Sequence, residues 1–243
     1  GAAAARDLGA SRAAGDTLLF IDDDIEPLPE LLPTHARLHE QAGELVVIGA
    51  PVPVRNARFG FQRIAAWAWW EQQFERMSQP GYRFVYHDFF TGILSVSAAL
   101  FRRVGGFDHA FEQCRDDSEL GLRLLRAGAS VVFSRAGGGI HHELRDLHQL
   151  LNRKLAEGKA DVRLARRYPE LLPTLRIAEP MPAWRFVHAW LRRIAGTAPI
   201  AGDLVLPIIR GTLAVLESLR ARRAWTYVQG ALLYFWYWRG AAA

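Results

Sequence analysis

Leu18 to Ile21, an uninterrupted apolar run, leads directly into three consecutive carboxylates, Asp22, Asp23 and Asp24. So short a run, bounded by Gly15-Asp16 before it and by Pro27 and Pro29 after it, reads as a buried strand. Adjacent carboxylates repel one another, and each becomes costlier as it leaves water. The strand must therefore end where its acids are either solvated in a turn or gathered around a cation. In an extended chain alternate side chains share a face, so Asp22 and Asp24 point one way and Asp23 the other. Two carboxylates on one face suit a hard divalent cation, and open α/β sheets bind ligands beyond the carboxyl ends of their strands.

The remaining pattern alternates strands with helices. Residues 2–14 are rich in alanine and read as a helix that stops at Gly15-Asp16. A helix is expected over 30–41, with Gly43 as its stop, and then a buried strand in "ELVVIGAPVPV". "FQRIAAWAWWEQQFERM" has helical composition with aromatics on more than one face. "FFTGILSVSAALFRRVGGFD" suggests a strand, a tight loop and a short helix. "DDSELGLRLLRAG" is the clearest helix, with Leu120, Leu124 and Leu125 on one stripe and Gly128 at its stop. "ASVVFS" reads as a strand, and "GGGIHHE" as a flexible approach to two histidines. Arg-rich helical segments follow over 144–167, and prolines at 169, 173, 180 and 182 mark a boundary.

Composition narrows the classes. Half of the 243 residues are apolar, enough for a sizeable core. The single cysteine, Cys114, excludes an internal disulfide framework and two-cysteine zinc signatures, and fits a reducing compartment. The net charge of +5 is unevenly spread: from Pro180 onward eight arginines face two acids, Asp203 and Glu217. That tail interleaves its arginines with long aliphatic and Trp/Tyr-rich runs, which argues for contact with an anionic membrane surface and against nucleic acid. The 14 or so residues between Arg223 and Arg239 fall short of the roughly 20 that a bilayer span needs. With Trp and Tyr crowded at one end and arginines at both, they have the profile of an interfacial element, with packing as helices against the rest of the chain as the alternative. The opening "GAAAARDLGASRAAGD" has no initiator Met and no signal peptide and reads as the interior of a domain.

Two further clusters carry candidate chemistry. Asp116 followed three residues later by Glu119 has the spacing of a capping box, and acids in a first helical turn suit the helix dipole. Asp117 is left less explained and is placed to act as a general base on an acceptor hydroxyl. His141 and His142, after three glycines, are candidates for metal or phosphate contact, without the i, i+4 spacing of a helical zinc pair.

Taken in order, "ARDLGASRAAGDTLLFIDDD", "FFTGILSVSAALFRRVGGFDHAF", "DDSELGLRLLRAG" and "HH" resemble the family 2 glycosyltransferases of GT-A fold, over residues 1–145. The family pattern runs A-R-N-x-G, an apolar strand into D-x-D, G-G-F-D-E, E-D-x-x-L-x-x-R, and a later His. The resemblance implies an α/β, GT-A-like (Rossmann-like) mixed sheet flanked by helices, truncated at its N-terminus, with a C-terminal helical apolar appendage. The corresponding division is a partial catalytic domain over 1–179 and a basic, apolar tail over 180–243. It implies an inverting, metal-dependent transfer of a sugar from a nucleotide-diphosphate donor to an acceptor hydroxyl. Carried over position by position, Arg6, Asp22 and Asp24 bind the donor, and Asp24 and His141 hold Mg²⁺ or Mn²⁺. Asp117 is the base, and Gly92 and Asp116 lie in the loops that face sugar and acceptor. Docking of the basic, apolar tail at a membrane would place the chain in the cytoplasm, peripheral at the inner face of the cell membrane, and would suit a saccharide or lipid-linked acceptor of the bacterial envelope type.

The chain departs from the pattern at three places: Asp7 stands where Asn is common, Asp116 replaces Glu, and Ile93 or Leu94 falls where many relatives carry Asn. The βα units that precede the A-R-N helix in the family are also absent from the sequence. Two rival readings remain: a non-catalytic, membrane-associated scaffold of the same fold, and a haloacid-dehalogenase-like phosphatase, which also runs an apolar strand into D-x-D. The latter needs a downstream lysine, and the lysines here are Lys154 and Lys159, in an Arg-rich helix.

Overall fold

A computed structural model describes residues 1–41, 43–54, 60–111, 114–142, 146–178 and 185–243. They fall into two compact units, Gly1–Glu112 with Asp116–Leu144, and Gln113–Arg115 with Arg145–Ala243. The sequence-expected boundary at 179/180 and the expected helix start at Leu144 lie outside the described residues.

The first unit is a mixed sheet with helices. Its elements are α1 (Ala2–Arg12), β1 (Thr17–Ile21), β2 (Ile25–Pro27), α2 (Leu31–Gln41), β3 (Leu45–Pro53), α3 (Phe61–Met77), β4 (Ile93–Ser97), α4 (Ala98–Arg103), α5 (Asp116–Arg126) and β5 (Ser130–His141). The strand order is β1-β4-β3-β5-β2. β3 and β5 are parallel; β1 with β4, β3 with β4, and β2 with β5 are antiparallel. Central β3 is buried from Leu45 to Pro51, as a near-continuous apolar run covered on both faces should be. Phe20, Val46, Ile48, Leu94 and Val96 from the sheet pack with Leu100, Phe101, Leu120 and Leu124 from α4 and α5. The α5 helix stops where expected: Gly128 has φ +85°, and the amides of Gly128 and Ala129 return to the carbonyls of Leu125 and Leu124.

One expectation is corrected here. The glycine run of "GGGIHHE" is not a flexible approach but part of β5, which pairs Gly139, Ile140 and His141 with Pro51, Val52 and Pro53. A Cβ at Gly138 would collide with the Ala50 backbone and one at Gly137 with the His35 ring. These glycines are there for close approach rather than for freedom.

Beneath the sheet lies a polar knot. The Ser95 hydroxyl sits 2.6 Å from His35 Nδ1 and 2.8 Å from His39 Nε2, while His35 Nε2 is 3.0 Å from the Gly137 carbonyl oxygen. All partners are satisfied when both rings are neutral: His35 Nε2–H donates to Gly137, Ser95 donates to His35 Nδ1, and His39 Nε2–H donates to Ser95. Burial holds both imidazoles below their ordinary value, the His35 ring further lowering that of His39.

The second unit is helical: α6 (Leu147–Arg167), α7 (Arg185–Thr197), α8 (Ile200–Ser218) and α9 (Arg222–Ala241). Asp146 caps α6 by accepting from the Gln149 amide at 2.8 Å, and the Gln149 side chain accepts from the Asp146 amide in return. Gly158 of α6 and Gly240 of α9 each lie against the other helix's backbone, at Tyr237 and Leu155, so the two helices approach more closely than side chains would allow. Asp161, fully buried, accepts from Arg115 Nε at 2.8 Å and from the Tyr237 hydroxyl at 2.6 Å. The Trp/Tyr-rich segment that reads as an interfacial element is therefore largely core: Trp225, Leu232, Phe235, Trp236, Tyr237 and Trp238 are buried.

The histidine knot predicts acid sensitivity. An unfolded chain protonates its histidines near pH 6.5, before the folded one does, so stability is full above that pH and falls below it. The melting temperature should drop between pH 7 and pH 5.5, by about 2–4 °C per kcal/mol lost. His39→Gln should flatten part of that drop; an unchanged slope would count against the knot.

Candidate active site

The sequence-predicted residues of the first unit lie at the ends of β1 and β5, at the start of β2, within α1, at the start of α5 and, for Gly92, just before β4. After Ile21 the chain does not stay extended: Asp22 to Ile25 form a turn, closed by the Ile25 amide on the Asp22 carbonyl at 3.2 Å. The expected alternation survives in exposure, with Asp22 and Asp24 half-buried and Asp23 exposed. The two half-buried acids turn to different partners. Asp22 Oδ1 accepts from Arg6 Nη2 at 2.6 Å, and Asp24 Oδ2 lies 3.3 Å from His141 Nε2.

Arg6 joins two of the motifs. Its Nη1 donates to Asp116 Oδ2 at 2.8 Å while Nη2 holds Asp22. One guanidinium, four-fifths buried, thus ties the turn after β1 to the first residue of α5. Gly92 completes the turn. Its carbonyl accepts from the Asp22 amide at 3.0 Å, and a Cβ there would stand 3.2 Å from Asp22 Oδ2. A side chain at 92 would press on the carboxylate that Arg6 holds.

At the start of α5 the two acids differ. Burial, then the neighbouring Asp117 charge, pushes the Asp116 carboxyl up to about 6, against the pull of Arg6. Asp117 Oδ1 accepts from the Ser118 amide at 2.7 Å, and its Oδ2 takes no hydrogen bond among the described residues. The expected capping box is not formed. Glu119 is fully buried and accepts from Arg123, at 2.8 Å from Nε and 2.6 Å from Nη2, and Arg123 reaches on to the Val104 carbonyl. The helix instead begins at Asp116 itself, directly after Arg115 at φ +69°. The i, i+4 spacing of Glu119 and Arg123 in the sequence held the signal for this ion pair.

The histidines separate. His141, the last residue of β5, faces Asp24 from opposite Ile25 in the antiparallel pair with β2. His142 reaches Glu26 instead, 2.9 Å from Nε2 to Oε2, and its amide donates to the Asp24 carbonyl at 2.8 Å. Among the described residues no three His, Cys, Asp or Glu side chains converge on a point. Among the described residues Asp24 and His141 therefore offer two ligands. That fits a hard cation completed by water and by a ligand's phosphate oxygens, and does not fit an all-protein cage.

Asp7 has a role that sequence reasoning did not assign. Its Oδ1 accepts from the Phe107 amide at 3.0 Å, and its Oδ2 lies 2.7 Å from His109 Nε2. It thereby holds the "GGFD" loop, whose Gly105 and Gly106 have φ of +86° and +69°.

The glycosyl transferase family 2 model matches residues 1–104, and the model described as the N-terminal domain of galactosyltransferase matches 72–146. The chain is 30% identical over 148 residues to the O-antigen biosynthesis protein RfbC of Myxococcus xanthus, an alignment covering 55% of this chain and 11% of that protein. A search by structure finds the mannosyltransferase PcManGT from Pyrobaculum calidifontis, solved in complex with GDP-Man and Mn²⁺. Its TM-score is 0.53 at 18% identity, over 97% of this chain and 65% of that one. The fold is thus GT-A-like, and the first 104 residues are similar to the glycosyl transferase family 2. The chain spans about a tenth of RfbC and just under two thirds of PcManGT.

The Asp7 contacts give a stability prediction. Asp7→Ala, which strands the Phe107 amide, should cost about 1–3 kcal/mol in urea melts, whereas Asp7→Asn, which keeps an acceptor oxygen, should cost less than half as much. Equal losses would show that the amide is not the partner that matters.

Proposed function

We propose that this site transfers a sugar from a nucleotide-diphosphate donor to a hydroxyl of a saccharide or lipid-linked acceptor. The observation that carries the reading is the Arg6 bridge between Asp22 and Asp116, which assembles the A-R-D helix, the D-x-D turn and the acid pair into one constellation. The match of residues 1–104 to the glycosyl transferase family 2 model and the GT-A-like fold support it.

In this reading Asp22 contacts the donor's nucleotide, and Asp24 with His141 lies at its diphosphate. Those two residues would hold Mg²⁺ or Mn²⁺, which when bound neutralises charge gathering on the departing diphosphate. Asp117 acts on the acceptor. Its unengaged Oδ2 takes the hydroxyl proton as that oxygen bonds to the anomeric carbon, and the bond from that carbon to the diphosphate breaks with its electron pair leaving on phosphate. Attack from the face opposite the leaving group inverts the anomeric configuration. Gly92 keeps the space beside Asp22 open for the sugar.

Asp116 supports a second reading of the base, because a carboxyl raised to about 6 is better matched to neutral-pH proton transfer than an ordinary one. Its engagement by Arg6 favours a positioning role instead. Kinetics of the whole protein separate the two. Asp117→Asn should lower kcat about 10²-fold or more with donor affinity nearly unchanged. Asp24→Ala should weaken Mn²⁺-dependent donor binding by at least about tenfold. Normal transfer rates in both variants would sink the proposal. Donor hydrolysis or Mn²⁺-dependent nucleotide binding distinguishes the enzyme from a scaffold, and a phosphomonoesterase assay distinguishes it from a phosphatase.

The Arg6 bridge also sets a pH limb. Asp116 ionises as pH rises through about 6, so its share of the bridge is present above that pH and lost below it. The rate should therefore fall on the acid side of pH 6, and Asp116→Asn should abolish that limb. A limb unmoved in the variant would assign it to another group.

A further inference from the structure

Helix α8 carries two apolar stripes where a helix packed on one side needs one. Gly202, Leu206, Ile209, Leu213 and Leu216 form the inward stripe; Gly202 and Leu213 are buried, and Gly202 lies against the rings of Phe235 and Trp236. On the other side Ile200, Leu204, Ile208, Gly211, Val215 and Leu219 follow helical spacing and stand open. Leu204, Ile208 and Leu219 are 73%, 72% and 70% exposed. The charges of α8 avoid this outward stripe. Asp203, Arg210 and Glu217 recur every seven residues along one flank, with Arg239 of α9 donating to Asp203 at 2.9 Å. An open row of large aliphatic side chains is unfavourable in water, at about 25 cal/mol for each Å² left wet.

Charge says what should cover it. Arg192 and Arg193 are exposed just before α8, and Arg220, Arg222 and Arg223 are exposed just after Leu219. Phe186, Trp190 and Arg193 share a line on α7, with Phe186 79% and Trp190 62% exposed. Arg192 lies over the Trp238 ring at 3.8 Å. Aliphatic side chains along a helix, aromatics beside them and guanidinium groups at both ends match the depth profile of a lipid leaflet with anionic headgroups. Among the described residues no helix is long and apolar enough to cross a membrane.

We infer that α8, with α7 beside it in the chain, docks in the plane of an anionic phospholipid surface through the stripe from Ile200 to Leu219. The segment richest in Trp and Tyr, α9, supplies the core behind that surface rather than the contact itself.

Flotation of the full chain tests this with vesicles of phosphatidylcholine alone and with roughly 30 mol % phosphatidylglycerol added. The anionic vesicles should carry the protein at least about tenfold better, and salt should weaken the binding. The double variant L204D/I208D changes only exposed positions and should lose the binding while its melting temperature and circular dichroism stay as they were. Arg220→Glu with Arg223→Glu should lose the preference for anionic lipid. Absence of flotation on anionic vesicles, or unaltered flotation of L204D/I208D, would overturn the inference. So would a wild-type dimer that L204D/I208D converts to monomer without any vesicle binding, since a second copy would then be the occupant.

Discussion

One cation between two acids organises the first unit. Arg6 lies on α1, Asp22 follows β1 and Asp116 begins α5, so the three are far apart in sequence and meet through the guanidinium alone. The fork geometry matters: two N–H groups directed at two separate carboxylates hold both in fixed positions, where a lysine would offer a single mobile charge. Removing Arg6 would leave Asp22 and Asp116 facing one another with Asp117 beside them. The bridge thus offsets repulsion between the acids, while burial first and the Asp117 charge second still raise the Asp116 carboxyl.

The balance at the site remains negative. Arg6 bridges Asp22 and Asp116, Asp24 and Asp117 add two further acids close by in the chain, and the histidine beside Asp24 is charged only when protonated. A cluster of this sign would repel a diphosphate by itself. In the proposed reading a divalent cation between protein and phosphate would offset that charge.

Much of this was legible in the sequence, and the failures have particular causes. The strand Thr17–Ile21 and the helix Phe61–Met77 have the bounds their patterns imply, because apolar periodicity and flanking glycines act locally. The resemblance put Arg6 and Asp22 at one donor site, but neither the contact between them nor the reach of Arg6 to Asp116 was readable, since nothing at these positions encodes their proximity. The glycines at 137–139 were misread because mobility and close packing leave the same letters; only the nearness of Ala50, His35 and Glu26 tells them apart. Glu119 was read as a capping partner from its spacing to Asp116, yet Arg123, four residues on, offered a bidentate charge that a backbone amide could not match.

The second unit shows how composition can point to a different helix from the one whose apolar face the fold leaves open. Aromatic density marked α9, because tryptophan and tyrosine concentrate at membrane interfaces. In the structure those rings fill the space between α9 and its neighbours, where α6 and α9 come close enough at Gly158 and Gly240 to demand large, flat side chains around the contact. Helix α8 has fewer aromatics and reads as an ordinary aliphatic helix, yet it is the one whose apolar residues exceed what its single packed face can bury. Surface activity belongs to the surplus over burial, which is a property of the fold, and a one-dimensional hydropathy profile cannot locate it.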